Sequence, residues 1–144
     1  MKILVLEQNR NLMELLIDIL SLQGHEVFDA DTVEHAIQTF KDNNQNVIII
    51  DFEFQNSAVE IIKSIRNISN DVQFIVLTTI GNDNFISNVK QYNIAEFIPK
   101  DTSTDLLLGI INRFIKKVSG ITKDNMKSMN QKAKILVVDD SSLI

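Results

Sequence analysis

With 144 residues and 44% hydrophobic side chains, the chain has enough material for one compact domain that hides about two-thirds of its unfolded surface. It has no cysteine, which excludes a disulfide framework, a thiolate zinc site, an iron–sulfur cluster and a thiol nucleophile. A formal charge of −5 and a pI near 4.9 count against direct contact with a nucleic-acid backbone. No apolar run approaches the ~20 residues of a membrane span, and Met1-Lys2 leads into a strand-like run without signal-peptide anatomy. A cytoplasmic location away from membranes is expected.

Short β-branched runs alternate with stretches whose apolar residues recur every three or four positions. Ile3 to Leu6 is a strand, followed by a helix carrying Leu12, Leu15, Leu16, Ile19 and Leu20 on one face and closed by Gly24. Glu26 to Ala30 is the second strand. Asp31 and Glu34 have capping-box spacing ahead of a second helix striped by Val33, Ala36, Ile37 and Phe40, which Asn43, Asn44 and Asn46 break. Val47 to Ile50 is apolar without alternation, the pattern of a strand covered on both faces, and Asp51 ends it.

A third helix spans about Ala58 to Ile68, with Ile61, Ile62 and Ile65 inward. Phe74 to Leu77 is another doubly covered strand that stops at Thr78 and Thr79. Phe85, Ile86 and Val89 mark a fourth helix and Glu96 to Ile98 a last strand. Thr102 or Ser103 caps a long final helix with the stripe Leu106, Leu107, Ile110, Ile111, Phe114, Ile115 and Val118. Five βα units in series require parallel strands and right-handed crossovers, so a doubly wound α/β domain is expected over residues 1–118.

Residues 119–133 are polar and lysine-bearing, a linker that is flexible or loosely helical. The opening then returns, Lys2-Ile3-Leu4-Val5-Leu6-Glu7-Gln8 against Lys134-Ile135-Leu136-Val137-Val138-Asp139-Asp140. Residues 134–144 thus read as the first strand of a second, truncated copy. His25 and His35 sit on separate elements without clustered acids and read as surface residues.

Ligands of open α/β sheets bind beyond the carboxyl ends of the strands. Glu7 and Gln8 follow the first strand, Asp51 the third, Thr78 the fourth and Lys100 the fifth. An acid pair or acid-amide pair, an aspartate, a hydroxyl and a lysine on one rim suit phosphoryl transfer to a carboxylate. Mg²⁺ on one or two carboxylates neutralises phosphoryl charge, Asp51 supplies the nucleophilic oxygen, and Thr78 and Lys100 stabilise phosphoryl oxygens.

On these residues the sequence resembles the receiver domain of two-component response regulators, from residue 2 to about 118 and again at Lys134 to Ser141. The resemblance implies a flavodoxin-like sheet of order 2-1-3-4-5. It implies Mg²⁺ at Glu7, Gln8, Asp51 and the Glu53 backbone carbonyl, with Asp51 as phosphoacceptor. Thr78 and Phe97 correspond to the family's switch residues and Lys100 to its lysine. Implied partners are a sensor histidine kinase or phosphotransfer protein, an adjacent receiver and an output domain; a homodimer is left open.

The chain departs from the family in five places, one of them Phe97, which lacks the hydroxyl of the commoner tyrosine. Gln8 replaces an acid with an amide, so weakened Mg²⁺ binding is expected. The loop Phe52-Glu53-Phe54-Gln55-Asn56-Ser57 lacks the usual proline and glycine. Thr79 stands where a smaller residue is usual, and Asp101 follows Lys100 in place of proline, so no cis peptide is expected there. These departures motivate an alternative, a degenerate receiver that docks or dimerises without phosphorylation. A hydrolase of the haloacid dehalogenase type is suggested by Asp51-Phe52-Glu53, but that superfamily wants aspartate as its second motif residue, commonly followed by small residues, and this chain has Phe54-Gln55. No glycine-rich phosphate loop supports nucleotide binding.

Overall fold

The β-branched runs form five parallel strands in the computed structural model, which describes residues 1–79 and 81–130, the stretch 119–130 by its backbone alone. The strands are β1 (Lys2–Leu6), β2 (Glu26–Asp29), β3 (Val47–Asp51), β4 (Gln73–Thr78) and β5 (Glu96–Pro99), in the order β2-β1-β3-β4-β5. The helices are α1 (Arg10–Leu22), α2 (Val33–Asn43), α3 (Ala58–Ile68), α4 (Asp83–Val89) and α5 (Thr104–Asn130). This is the doubly wound, flavodoxin-like arrangement anticipated from the alternating periods.

The unbroken apolar runs are explained by burial on both faces. Leu4, Leu6, Ile48, Ile50, Phe74 and Val76 form one cluster with Ala36 and Phe40 of α2, Ile61, Ile62 and Ile65 of α3, and Val89 of α4. The alternate residues Ile3, Val5, Val47, Ile49, Ile75 and Leu77 are also buried, and α1 lies along β1 and β2 with Leu16 and Leu20 inward. Each such aliphatic side chain stabilises the fold by about 1.5–3 kcal/mol.

Several boundaries follow local capping chemistry. Gly24 takes φ 91° just past α1, a conformation that favours glycine. Thr32, rather than Asp31, caps α2: its backbone is extended and its Oγ1 accepts the His35 N–H at 3.0 Å. Asp31 instead pairs with the exposed His35 ring at 3.2 Å. The half-buried His25 ring lies 3.3 Å from the N-terminal amine. Asn44 ends α2 in the left-handed region, φ 52°. Ser103 caps α5, its Oγ accepting the Leu106 N–H at 3.3 Å.

The chain divides after Leu108 into two units. The first carries the sheet, α1 to α4 and the first turn of α5. In the second, α5 continues with Ile111 and Ile115 buried, and its backbone stays helical to Asn130, through most of the stretch read as a linker. The recurrence at 134–144 lies outside the described residues. Among the described residues no helix is long and apolar enough to cross a membrane, and no peptide bond is cis.

Parallel pairing sets the functional rim. Leu6 lies beside Ile50, Asp51 beside Leu77, and Thr78 beside Pro99. The residues that end β1, β3, β4 and β5 therefore reach one edge of the sheet together.

Candidate functional site

Lys100 is the hub of that edge. Its Nζ lies 2.9 Å from Glu7 Oε2 and 3.1 Å from Asp51 Oδ2. Both carboxylate side chains are fully enclosed, whereas the lysine keeps 18% of its side-chain surface exposed. The backbone delivers it there: the Lys100 N–H is bonded to the Thr78 carbonyl, which ties the residue after β5 to the end of β4. Three residues from distant parts of the chain thus share one charge cluster.

Asp51 accepts further bonds from the backbone. The Gln8 N–H reaches Oδ2 at 3.3 Å and the Glu53 N–H reaches Oδ1 at 3.3 Å. Glu7 accepts the Asn9 N–H at 2.8 Å through Oε2. Its other oxygen, Oε1, is buried with no partner, as is the Thr78 hydroxyl. Buried polar atoms without partners are uncommon and costly, so this rim holds one acceptor and one hydroxyl available to a guest.

The electrostatics follow from enclosure. Burial pushes the Glu7 carboxyl above its ordinary range and the neighbouring Asp51 charge adds to this, against the pull of the Asn9 N–H and of Lys100. Burial alone would lower the Lys100 ammonium, but the bond and charge of Glu7 and those of Asp51 outweigh it and raise it. Two carboxylates and one ammonium make a cluster that is short of positive charge.

The loop after Asp51 takes its own solution to the missing glycine. Phe54 is buried, and Phe54–Asn56 makes one 3-10 turn. Gln55 and Asn56 both have φ 51°, a left-handed conformation that costs about 1–2 kcal/mol for each residue with a Cβ. Two bonds hold Gln55: its N–H donates to Gln8 Oε1 at 3.0 Å and its carbonyl accepts the Ser57 hydroxyl at 2.9 Å. Gln8 was singled out in the sequence as a cation ligand, but its bond to Gln55 has no sequence signal beyond Asn56, a residue type that tolerates positive φ.

The other predicted residues lie around this core. The side chains of Gln8 and Glu53 are exposed, and Thr79 is half-buried. Phe97 is half-buried against the cluster that includes Val76 and Val89. Phe52 stacks edge-on with Phe85 of α4 at 5.9 Å, a link from the loop to α4 that spacing did not suggest.

The donor set fits a hard divalent cation. Mg²⁺ takes one or two carboxylates and keeps several waters, and here the free Glu7 oxygen and Asp51 are the carboxylates at hand. Among the described residues there is no group of three or more histidine, cysteine, aspartate or glutamate residues disposed to hold a metal.

Comparison with known proteins agrees with this architecture. A search of curated proteins finds no match. Among solved structures, the inactive form of the regulatory domain of the repressor of iron transport regulator, RitR, superposes with a TM-score of 0.71 at 16% identity, over 81% of this chain and 95% of that one. A CheY-like response regulator receiver domain protein from Methanospirillum hungatei gives 0.70 at 16% identity, over 81% and 94%. NtrX from Brucella abortus gives 0.69 at 20% identity over 94% of this chain but only 31% of its own. Identities this low speak for the fold alone, but the response regulator receiver domain model matches residues 3–112 directly. The sheet order, the rim and that match agree: the chain belongs to the response regulator receiver domain family of two-component systems.

Proposed function

We propose that this receiver is phosphorylated on Asp51 by a sensor histidine kinase or a phosphotransfer protein, with Mg²⁺, and relays the event as a conformational switch. The observation that carries the proposal is the junction of Lys100 with Glu7 and Asp51 beside an unpartnered Thr78 hydroxyl. An Asp51 oxygen attacks the phosphorus of a phosphohistidine. The P–N bond breaks, and its electron pair goes to the leaving imidazole nitrogen. Glu7, Asp51 and the Glu53 carbonyl would hold Mg²⁺, which when bound neutralises charge on the phosphoryl oxygens. Lys100 supplies a positive charge at the reacting carboxylate, and Thr78 has a hydroxyl to donate to a phosphoryl oxygen, the preorganised donors that such a transition state needs.

Asp51 has no exposed surface, so a donor reaches it only when its cover of Lys100 and the loop N–H groups opens. Thr78 drawn toward the phosphoryl group would then repack Phe97 against α4, a two-state element of the kind that carries such signals. A chain of this family that continues beyond its receiver, as NtrX does, would pass the change to an output domain. We further assign 134–144 to the start of a second receiver, and place the protein in the cytoplasm.

The test is covalent labelling. Incubated with phosphoramidate and Mg²⁺, the intact chain is expected to gain the mass of one phosphoryl group, and Asp51→Asn to gain none. Undiminished labelling of the Asn variant would refute the assignment. A second reading, a receiver that docks or dimerises without phosphorylation, is favoured by the complete enclosure of Asp51 and by the exchange of an acid for Gln8. It predicts no labelling of the wild-type chain and a self-association unchanged by phosphodonor.

A further inference from the structure

We infer that Gln8 is a positioning residue that holds the β3–α3 loop, and through it Asp51, in its working arrangement without a divalent cation. The inference deepens the reading of Asp51 as the reacting carboxylate and rests on it for its functional meaning.

Gln8 makes two bonds that bracket the first part of the loop. Its backbone N–H meets Asp51 Oδ2 at 3.3 Å, where the loop begins, and its side-chain oxygen accepts the Gln55 N–H at 3.0 Å, four residues later. Between these points the Glu53 N–H turns back onto Asp51 Oδ1 at 3.3 Å. The result is a closed circuit from Gln8 to Asp51, along the chain to Gln55 and back to Gln8. The segment it encloses runs into two consecutive left-handed residues, Gln55 and Asn56, neither of them glycine. Such a conformation persists only where neighbouring contacts hold it.

Charge explains why an amide suits the position. Glu7 and Asp51 already share a single ammonium, so a third carboxylate at residue 8 would add a charge that only a bound cation offsets. A neutral amide closes the circuit with no added charge. The loop is then ordered in the absence of Mg²⁺, and the cation, when it arrives, meets a site already assembled.

The experiment reads amide hydrogen exchange at Gln55 by NMR on the 144-residue chain, in EDTA and then in millimolar Mg²⁺, with no phosphodonor. Gln8→Ala should speed exchange in EDTA by about 2- to 10-fold, the effect of one hydrogen bond. Gln8→Glu, which keeps an acceptor at the same reach but adds a third charge beside Glu7 and Asp51, should lose part of the protection in EDTA and regain it with Mg²⁺. Gln8→Asp, one methylene shorter, should lose protection in EDTA and regain it with Mg²⁺, whereas Gln8→Ala should not regain it. Gln8 is exposed, so each variant should keep the fold, with far-ultraviolet circular dichroism as the check. Wild-type exchange at Gln55 in the Ala variant would overturn the inference, as would wild-type protection that arises only with Mg²⁺, or an Asp variant that Mg²⁺ fails to rescue. An Asp51 that proves unreactive leaves these outcomes untouched, so the two proposals fail separately.

Discussion

The interior of the sheet and its carboxyl rim are built from the same three strands by opposite physics. Along β1, β3 and β4 every residue from Ile3 to Leu6, Val47 to Ile50 and Phe74 to Leu77 is buried and apolar. One step further, Glu7, Asp51 and Thr78 are just as buried but polar. The interior needs only volume and shape, and its contacts do not change with pH or salt. The rim withdraws charges from water and depends on Lys100, on backbone N–H groups and on position 8 to make that tolerable. What positions the site is therefore the interior; what tunes it is a handful of bonds.

That contrast is broken most severely from the apolar side. Ile50→Ala, next to Asp51 and fully enclosed, should cost about 2–5 kcal/mol in urea unfolding, and by a similar amount at pH 6 and pH 8. A loss that varied strongly with pH would mean that the cavity had disturbed the rim. Lys100→Met should cost about 2–3 kcal/mol at neutral pH, below the usual range for breaking a buried pair because the lysine is partly exposed. Here the loss should depend on pH. The raised Lys100 ammonium contributes stability that is complete below its ordinary value of 10.5 and disappears as pH climbs through its higher folded value. Wild type should therefore lose stability on that alkaline limb, and the Met variant should lack the limb. A Met variant as stable as wild type at pH 7 would show that the two carboxylates need no cation.

The two zones also differ in what their residues disclose. Unbroken runs such as Val47-Ile48-Ile49-Ile50 state double burial outright, and with parallel registers that burial places Asp51, Thr78 and Lys100 on one edge without further information. The contacts among those side chains follow from lengths and charges. By contrast, the partner of Gln8 depends on the path of Phe52 to Ser57, and that path depends on two positive φ angles that Gln55 does not announce. Asp31 against Thr32 as the α2 cap was a similar near-tie, decided by which backbone is extended. In 119–130 the polar composition suits a linker and a helix equally, and the backbone is helical.

Glu7→Gln asks the finest question of the rim, because it removes a charge while preserving shape. Burial raises the Glu7 carboxyl above its ordinary 4.5, so the folded chain holds that proton more tightly than the unfolded chain does. Ionisation then works against folding, and the penalty grows as pH rises from 4.5 through the raised value. The Gln variant escapes the penalty. In paired thermal melts at increasing pH, the two chains should melt together at the acidic end, where Glu7 is protonated. The variant should then gain by a few degrees relative to wild type across the window, and the gap should hold above it. If wild type gained instead, the bond to Lys100 would outweigh the cost of burying Glu7. The rim would then be a net stabilising element like the interior rather than a site whose order is bought from it.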